Sequence, residues 1–251
     1  MLPSPHEGPA RARPPSPLGP SSWLLPDPGD DETGLVGFGA DLAPETLGDA
    51  YRRGIFPWPH DGVAVPWFSP DPRAVIGAGG PHVSRSLARR LRTSTWETTV
   101  DGDFSSVVEA CRVRPGEGTW ITGEMVAAYQ RLHHLGWSHS LEVWDGSHLV
   151  GGIYGVRVGG CFTGESMFHR RTDASKVALV DLTRRWLEAG GALVDVQLPT
   201  EHLARMGAVE LPRRRFLAVL ADVRDQLVCM RVDRLPVRRL AVTAATGARA
   251  V

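Results

Sequence analysis

The chain predicts an α+β fold, and three observations carry that prediction. Between Ser140 and Phe168 the sequence takes on a strand period and is cut by glycine turns at Asp145-Gly146 and Gly159-Gly160. This reads as an antiparallel meander in which the glycines supply the positive φ of tight hairpins. Residues 174–189 then take a helical period, capped by Asp173 or Thr172 and ended by Gly190-Gly191, and ALVDVQL, residues 192–198, returns to strand. Meander, helix, strand and helix in that order place the 192–198 strand in the meander's sheet.

The earlier elements follow in order. Residues 1–22 are rich in Pro, Ser, Gly and Arg and poor in apolar side chains, so they form a disordered tail that cannot offset its own ordering entropy. Pro44 suits a first helical position, with Asp41 as a cap just ahead and Gly54 as a stop, giving a helix over 44–53. An aromatic and proline cluster comes next, Phe56, Pro57, Trp58, Pro66, Trp67 and Phe68, suited to packing or to stacking on bases. SRSLARRLR, residues 84–92, is a helix capped by Ser84 that carries Arg85, Arg89, Arg90 and Arg92 without an acid among them, a candidate phosphate footprint. Residues 96–135 form two helical pieces, the second capped by Thr122 and closed by Gly136, joined through RPGEGTW. After the 192–198 strand, Thr200 caps a short helix to Met206 and Pro212 opens a last helix to about Leu227. Residues 229–251 show no regular pattern.

Composition excludes several classes. The 251 residues carry no formal net charge, so global charge does not call for nucleic acid. No run of roughly 18 apolar residues and no opening leader segment is present, which predicts a cytoplasmic chain without a membrane partner. Three scattered cysteines, Cys111, Cys161 and Cys229, fit neither a zinc site nor a disulfide framework. His133, His134 and His139 lack a carboxylate or Cys at ligand spacing, so no metal is expected. Lys176 is the only lysine among 28 basic residues.

The candidate chemistry lies at the two ends of Gly164–Gln197. Alternation in a strand puts Leu193, Asp195 and Gln197 on one face and Val194, Val196 and Leu198 on the other. Glu165 ends the preceding strand beside the apolar pair Met167-Phe168. Two carboxylates and an amide in apolar strands are either a buried hydrogen-bonded set or the lining of a cleft for a cationic or amine substrate. No Ser-His-Asp order, phosphate loop or metal cluster competes.

Through GADLAPETLGDAYRRGIFPW, WFSPDPRAV, SRSL, GTWIT, HSLEVW, LVGGIYGV, GESMF, ASKVALV, VDVQ and GAVELPRR, from about Gly34 to Leu220, the chain resembles the leucyl/phenylalanyl-tRNA-protein transferase family. The resemblance implies an aminoacyltransferase that moves Leu, Phe or Met from aminoacyl-tRNA to the α-amine of proteins beginning with Arg or Lys and so marks them for N-degron proteolysis. It implies a small N-terminal domain, residues 23–80, and an acetyltransferase-like (GNAT-like) domain with a largely antiparallel sheet, residues 81–228, acting as a monomer without a cofactor. By motif, Asp195 and Gln197 would orient and help deprotonate the attacking amine, with Glu165 beside them. Tyr51, Trp58 and Trp120 would hold the terminal adenosine of the tRNA. Ile153, Phe162, Leu179 and Leu182 would line the pocket for the transferred side chain, and the arginines of 84–92 would meet the acceptor stem. The sequence departs from the family pattern at Ile153, where Met is common, at Val196, where Cys is common, and at His169, where Ser is frequent.

Two alternatives compete. An acyl-CoA N-acyltransferase of the same fold needs a small last residue and a following helix after its pyrophosphate loop, and RVGGCF, residues 157–162, has neither. A non-catalytic RNA-binding module accounts for the arginines and aromatics but leaves Asp195 and Gln197 without a purpose.

Overall fold

The computed structural model describes residues 9–29, 33–59, 62–113 and 120–241. Its first part holds β1 (Leu35–Phe38), α1 (Pro44–Arg52), β2 (Phe56–Pro57), β3 (Pro66–Phe68), β4 (Arg73–Ile76) and α2 (Arg85–Thr93). Then come β5 (Glu97–Val100), α3 (Phe104–Arg112), α4 (Gly123–His134), and the meander β6 (Ser138–Asp145), β7 (His148–Val158) and β8 (Cys161–His169). The remainder is α5 (Ala174–Glu188), β9 (Leu193–Gln197), α6 (Glu201–Arg205), β10 (Val209–Leu211), α7 (Arg213–Val223), β11 (Leu235–Pro236) and a 3-10 helix (Val237–Ala241).

The expected meander forms and continues in both directions into an eight-stranded sheet of order β10-β4-β9-β8-β7-β6-β5-β11, while β1, β3 and β2 make a separate small sheet. Among the described residues only β8 and β9 pair in parallel, because α5 carries the chain back across the sheet between them. Strand alternation sorts the side chains onto two sides. Tyr154, Val156, Val158 and Leu193 pack with α1, α3, α4 and α7, and Ile153, Phe162 and Val194 pack with α2 and α5. Close approach of α5 depends on Gly151, where a Cβ would lie 2.6 Å from that of Ala174.

Several local expectations hold. Ser84 and Thr122 accept from the backbone amides of Leu87 and Met125 as N-caps, as Thr200 does from that of Leu203. Others are corrected. Residues 97–100 are not helical; they form β5, pairing with β6. Asp41 is no helix cap; it accepts from the Ala43 amide and from the Thr46 hydroxyl, and Ala43 is the N-cap residue. Asp173 precedes α5 in a left-handed conformation and does not cap it; its carboxylate takes Lys176 Nζ at 2.8 Å.

The tail expected to be disordered is seated on the body over residues 9–22. Arg11 bridges to Arg231, the Ser16 amide donates to the Leu135 carbonyl, and buried Arg157 donates to the carbonyls of Arg13, Gly136 and Val228. Composition pointed the other way because these contacts are made by backbone groups, which need no apolar side chains. Residues 1–8 lie outside the described residues. The C-terminal stretch is likewise patterned as far as Ala241, through β11 on β5 and the 3-10 helix.

Strand β4, read from sequence as part of the N-terminal portion, enters the large sheet beside β9. It is fastened there by a buried ion pair: Arg73 Nε and Nη2 donate to Asp195 Oδ1 and Oδ2 at 2.8 and 2.7 Å. Phe56 and Phe216 lie against the guanidinium, 4.8 and 4.6 Å from centroid to Cζ. Arg73→Met strands a buried carboxylate, so unfolding by urea should show a loss of about 3–5 kcal/mol. The double variant Arg73→Met/Asp195→Leu should recover most of it, and equal losses in the two proteins would refute this account.

Candidate active site

Two β-bulges on adjacent strands build the site. Pairing of β7 with β8 runs Gly155↔Gly164 and then Tyr154↔Ser166, so Glu165 is the extra residue on β8. Pairing of β4 with β9 runs Val75↔Asp195 and then Ala74↔Gln197, so Val196 is the extra residue on β9, and Gln197 takes a positive φ of 65°. Such bulges bend a strand and re-aim its side chains. Here they bring Gln197 Nε2 to Glu165 Oε1 at 2.9 Å.

The other oxygen of Glu165 accepts from the Tyr129 hydroxyl at 2.7 Å. The hydroxyl oxygens of Tyr129 and Tyr51 lie 2.6 Å apart, within hydrogen-bond reach of each other. Behind Gln197, its backbone amide donates to Asp195 Oδ1 at 2.9 Å and Thr163 Oγ1 donates to Asp195 Oδ2 at 3.1 Å. A continuous relay therefore runs from Tyr51 through Tyr129, Glu165, Gln197 and Asp195 to Arg73. Burial raises the Glu165 carboxyl to about 7; the hydrogen bonds from Tyr129 and Tyr51 act against the rise, and the charge of Asp195 adds to it. Tyr51 and Tyr129 are themselves pushed well up, first by burial and next by Glu165.

Glu165 opens on a cleft of about 1340 Å³ whose walls include Ser106 and Glu109 of α3, Trp120, Met167 and Phe168 of β8, and His202 of α6. Glu165, Gln197 and Trp120 are thus placed at or beside this cleft. Asp195 is fully buried and paired with Arg73, and its link toward the cleft runs through the Gln197 amide. Tyr51 is also buried, with its hydroxyl against that of Tyr129. Trp58 is half-buried at the margin of the same core cluster as Trp120, edge-on to Phe68 at 5.7 Å.

Ile153, Phe162, Leu179 and Leu182 do come together, in one buried apolar cluster with Phe162 edge-on to Trp186. Met167 packs against that cluster and also lines the cleft, so it joins the two. Arg85, Arg89 and Arg92 are exposed along α2, whereas Arg90 leans over Trp96 and lies 3.9 Å from Asp173.

Sequence reasoning missed Arg73 and Tyr129. Each stands among apolar neighbours on its element, and an arginine inside RAVI was the available signal. It also missed that Asp101 supplies a carboxylate to two of the histidines. Asp101, His133 and His139 offer donor atoms within 4.8 Å of one another. As placed, however, His139 Nδ1 faces Asp101 at 2.7 Å and His133 Nδ1 faces the Ser138 carbonyl at 2.9 Å. Proton-bearing nitrogens in those two contacts act as donors, which makes the trio a hydrogen-bonded brace between α4 and β6.

Comparison with known proteins bears on this geometry. A family model described as leucyl/phenylalanyl-tRNA protein transferase matches residues 75–221, and one described as the N-terminal domain of that transferase matches residues 40–71. A leucyl/phenylalanyl-tRNA–protein transferase of Nitratidesulfovibrio vulgaris is 51% identical over 81% of this chain and 88% of its own length. That of Anaeromyxobacter dehalogenans is 50% identical over 82% and 91%, and that of Citrobacter koseri 46% identical over 78% and 84%. The chain belongs to the leucyl/phenylalanyl-tRNA–protein transferase family.

Proposed function

We propose that this chain transfers Leu, Phe or Met from aminoacyl-tRNA to the α-amino group of proteins that begin with Arg or Lys, in the cytoplasm, and so marks them for degradation. The observation that carries the reading is the paired bulge, which sets an amide beside a carboxyl that lines a cleft an apolar cluster adjoins. The large sheet with α5 crossing between β8 and β9 supports an acetyltransferase-like assignment for residues 81–228, whose sheet also takes in β4 from the smaller domain, residues 23–80.

The chemistry runs as follows. The neutral acceptor amine attacks the ester carbonyl of the aminoacyl group, the new C–N bond forms, the C–O bond to the ribose breaks, and the proton lost by nitrogen ends on the departing ribose oxygen. An ester is already activated and an α-amine has a pKa of roughly 7.7–8, so positioning contributes more than base strength. Gln197 commits its Nε2 to Glu165, which turns its carbonyl oxygen into the acceptor for the amine. Glu165 receives a proton from the ammonium or passes one along. Asp195 acts at one remove, by holding the Gln197 amide, and is a positioning residue. Trp120 stacks on the terminal adenosine, with Trp58 beside the same core, while the Ile153, Phe162, Leu179 and Leu182 cluster with Met167 receives the transferred side chain. The exposed arginines of α2 meet acceptor-stem phosphates.

The test mixes radiolabelled Leu-tRNA with a peptide beginning in Arg and one beginning in Ala. Label on the Arg peptide alone is expected; label on neither, or on both equally, refutes the reading. The carboxyl at about 7 gives a second expectation. Below pH 6 both Glu165 and the acceptor amine must lose a proton, so log kcat/KM should climb with a slope near 2. In Glu165→Gln only the amine titrates; the slope should fall to about 1, with activity near pH 8 reduced about 100-fold. A slope unchanged by the substitution would remove Glu165 from the proton path.

A further inference from the structure

The C-terminal segment lies beyond the stretches that the family models match, which end at residue 221. Within it β11 pairs with β5, the Val237 amide donates to the Trp96 carbonyl at 2.9 Å, and Val237 and Leu240 are buried in one cluster with Leu87 and Leu91 of α2. A 3-10 helix turns once in three residues, so Val237 and Leu240 superpose and Arg238 and Arg239 emerge on opposite flanks. Arg239 reaches Asp181 of α5, and the Arg184 guanidinium holds its carbonyl at 3.0 Å. Arg238 therefore leaves from the flank away from Arg239 and is exposed.

On α2 the residues advance about 100° each. Arg85, Arg89 and Arg92 consequently fall within one stripe about 60° wide, opposite the buried pair Leu87 and Leu91. Among the described residues none of these three arginines, nor Arg238, has a carboxylate within 4.0 Å, although most of the chain's other arginines are paired or bonded to carbonyls. The large apolar side chains that are exposed, such as Trp23, Leu24, Phe38 and Leu227, lie on neither element. Unopposed guanidinium groups without an apolar wedge fit phosphates rather than a lipid surface.

We propose that the 3-10 helix completes the tRNA-binding face, with Arg238 joining Arg85, Arg89 and Arg92 on the phosphates of the bound tRNA. This rests on the transferase reading for the identity of the RNA. The face is preformed: Asp181, Arg185 and Arg239 fix the segment internally, so little ordering cost is added on binding.

The experiment measures binding of uncharged tRNA by Arg238→Gln over a range of salt, with Arg231→Gln as control, since Arg231 is exposed in the same segment but already paired with Asp233. Arg238→Gln should weaken binding several-fold at low salt and reduce the log–log salt slope by about 1, while Arg231→Gln stays near wild type. With a donor cut down to aminoacyl-adenosine, which has no stem phosphates, Arg238→Gln should match wild type in transfer. A salt slope equal to wild type, or equal losses in the two variants, overturns the inference even where wild-type transfer is intact. A wild-type protein that binds tRNA but transfers nothing overturns the transferase reading instead, and the slope still decides the role of Arg238.

Discussion

The ion pair between Arg73 and Asp195 is the constraint on which the site depends. Both groups are removed from water, a loss that only excellent geometry can offset. That geometry is present: a bidentate fork, a third donation from Arg73 Nη1 to the Gly54 carbonyl at 3.2 Å, and aromatic rings of Phe56 and Phe216 against the guanidinium. The pair thereby ties together the turn after α1, the small sheet, α7 and the end of β9. Because Asp195 cannot move, its oxygen dictates where the Gln197 amide sits, and the left-handed turn at Gln197 then aims its side chain at Glu165. Each link fixes the next, from a structural pair to a side chain at the cleft.

Buried carboxyls elsewhere show why Glu165 is different. Asp181 is sealed like Asp195 and faces Arg185 and Arg239, so it is matched by charge and holds α5 to the C-terminal segment. Glu142 is instead bonded by neutral donors, the hydroxyls of Ser140 and Thr99 and the Gly102 amide. Burial raises its pKa against those donors. Glu165 is of this second kind, with Tyr129 and Gln197 as donors, but it alone of the four also lines the cleft. A carboxyl raised by burial, satisfied without a countercharge and open to a substrate has the properties of a proton acceptor working near neutrality.

The meander and the helices of the second half were legible because hairpin glycines, caps and the switch of period are local signals. Glu165 and Gln197 stood out for a related reason, as polar groups in apolar strands. What was not legible depended on distant pairing. β4 reads as a short apolar run until β9 lies beside it, β10 and β11 are only two or three residues long, and nothing near Asp195 announces that Arg73 will neutralise it. The same limit applies to Tyr51, for which only the family resemblance offered a role; its place under α4, where it meets Tyr129, is set by how α1 and α4 pack. The seated tail escaped composition altogether, since it is held largely through its own main-chain carbonyls and amides.

The bulge at Glu165 also links the carboxyl to the apolar pocket. On an unbroken β8, Cys161, Thr163, Glu165 and Met167 would share one side of the sheet and Phe162 and Phe168 the other. Cys161 does pack with the first cluster and Phe162 with the second, yet beyond the bulge the order is reversed, with Met167 against the second cluster and Phe168 in the first. One extra residue therefore turns Glu165 out of the ladder and delivers Met167 to the side of Ile153 and Phe162. Drawing Glu165 into a regular ladder would restore the alternation but carry Met167 to the other side, away from that cluster. The carboxyl and the apolar wall are consequences of the same local irregularity, which places the proton-handling group and the side-chain pocket next to one another without any additional element.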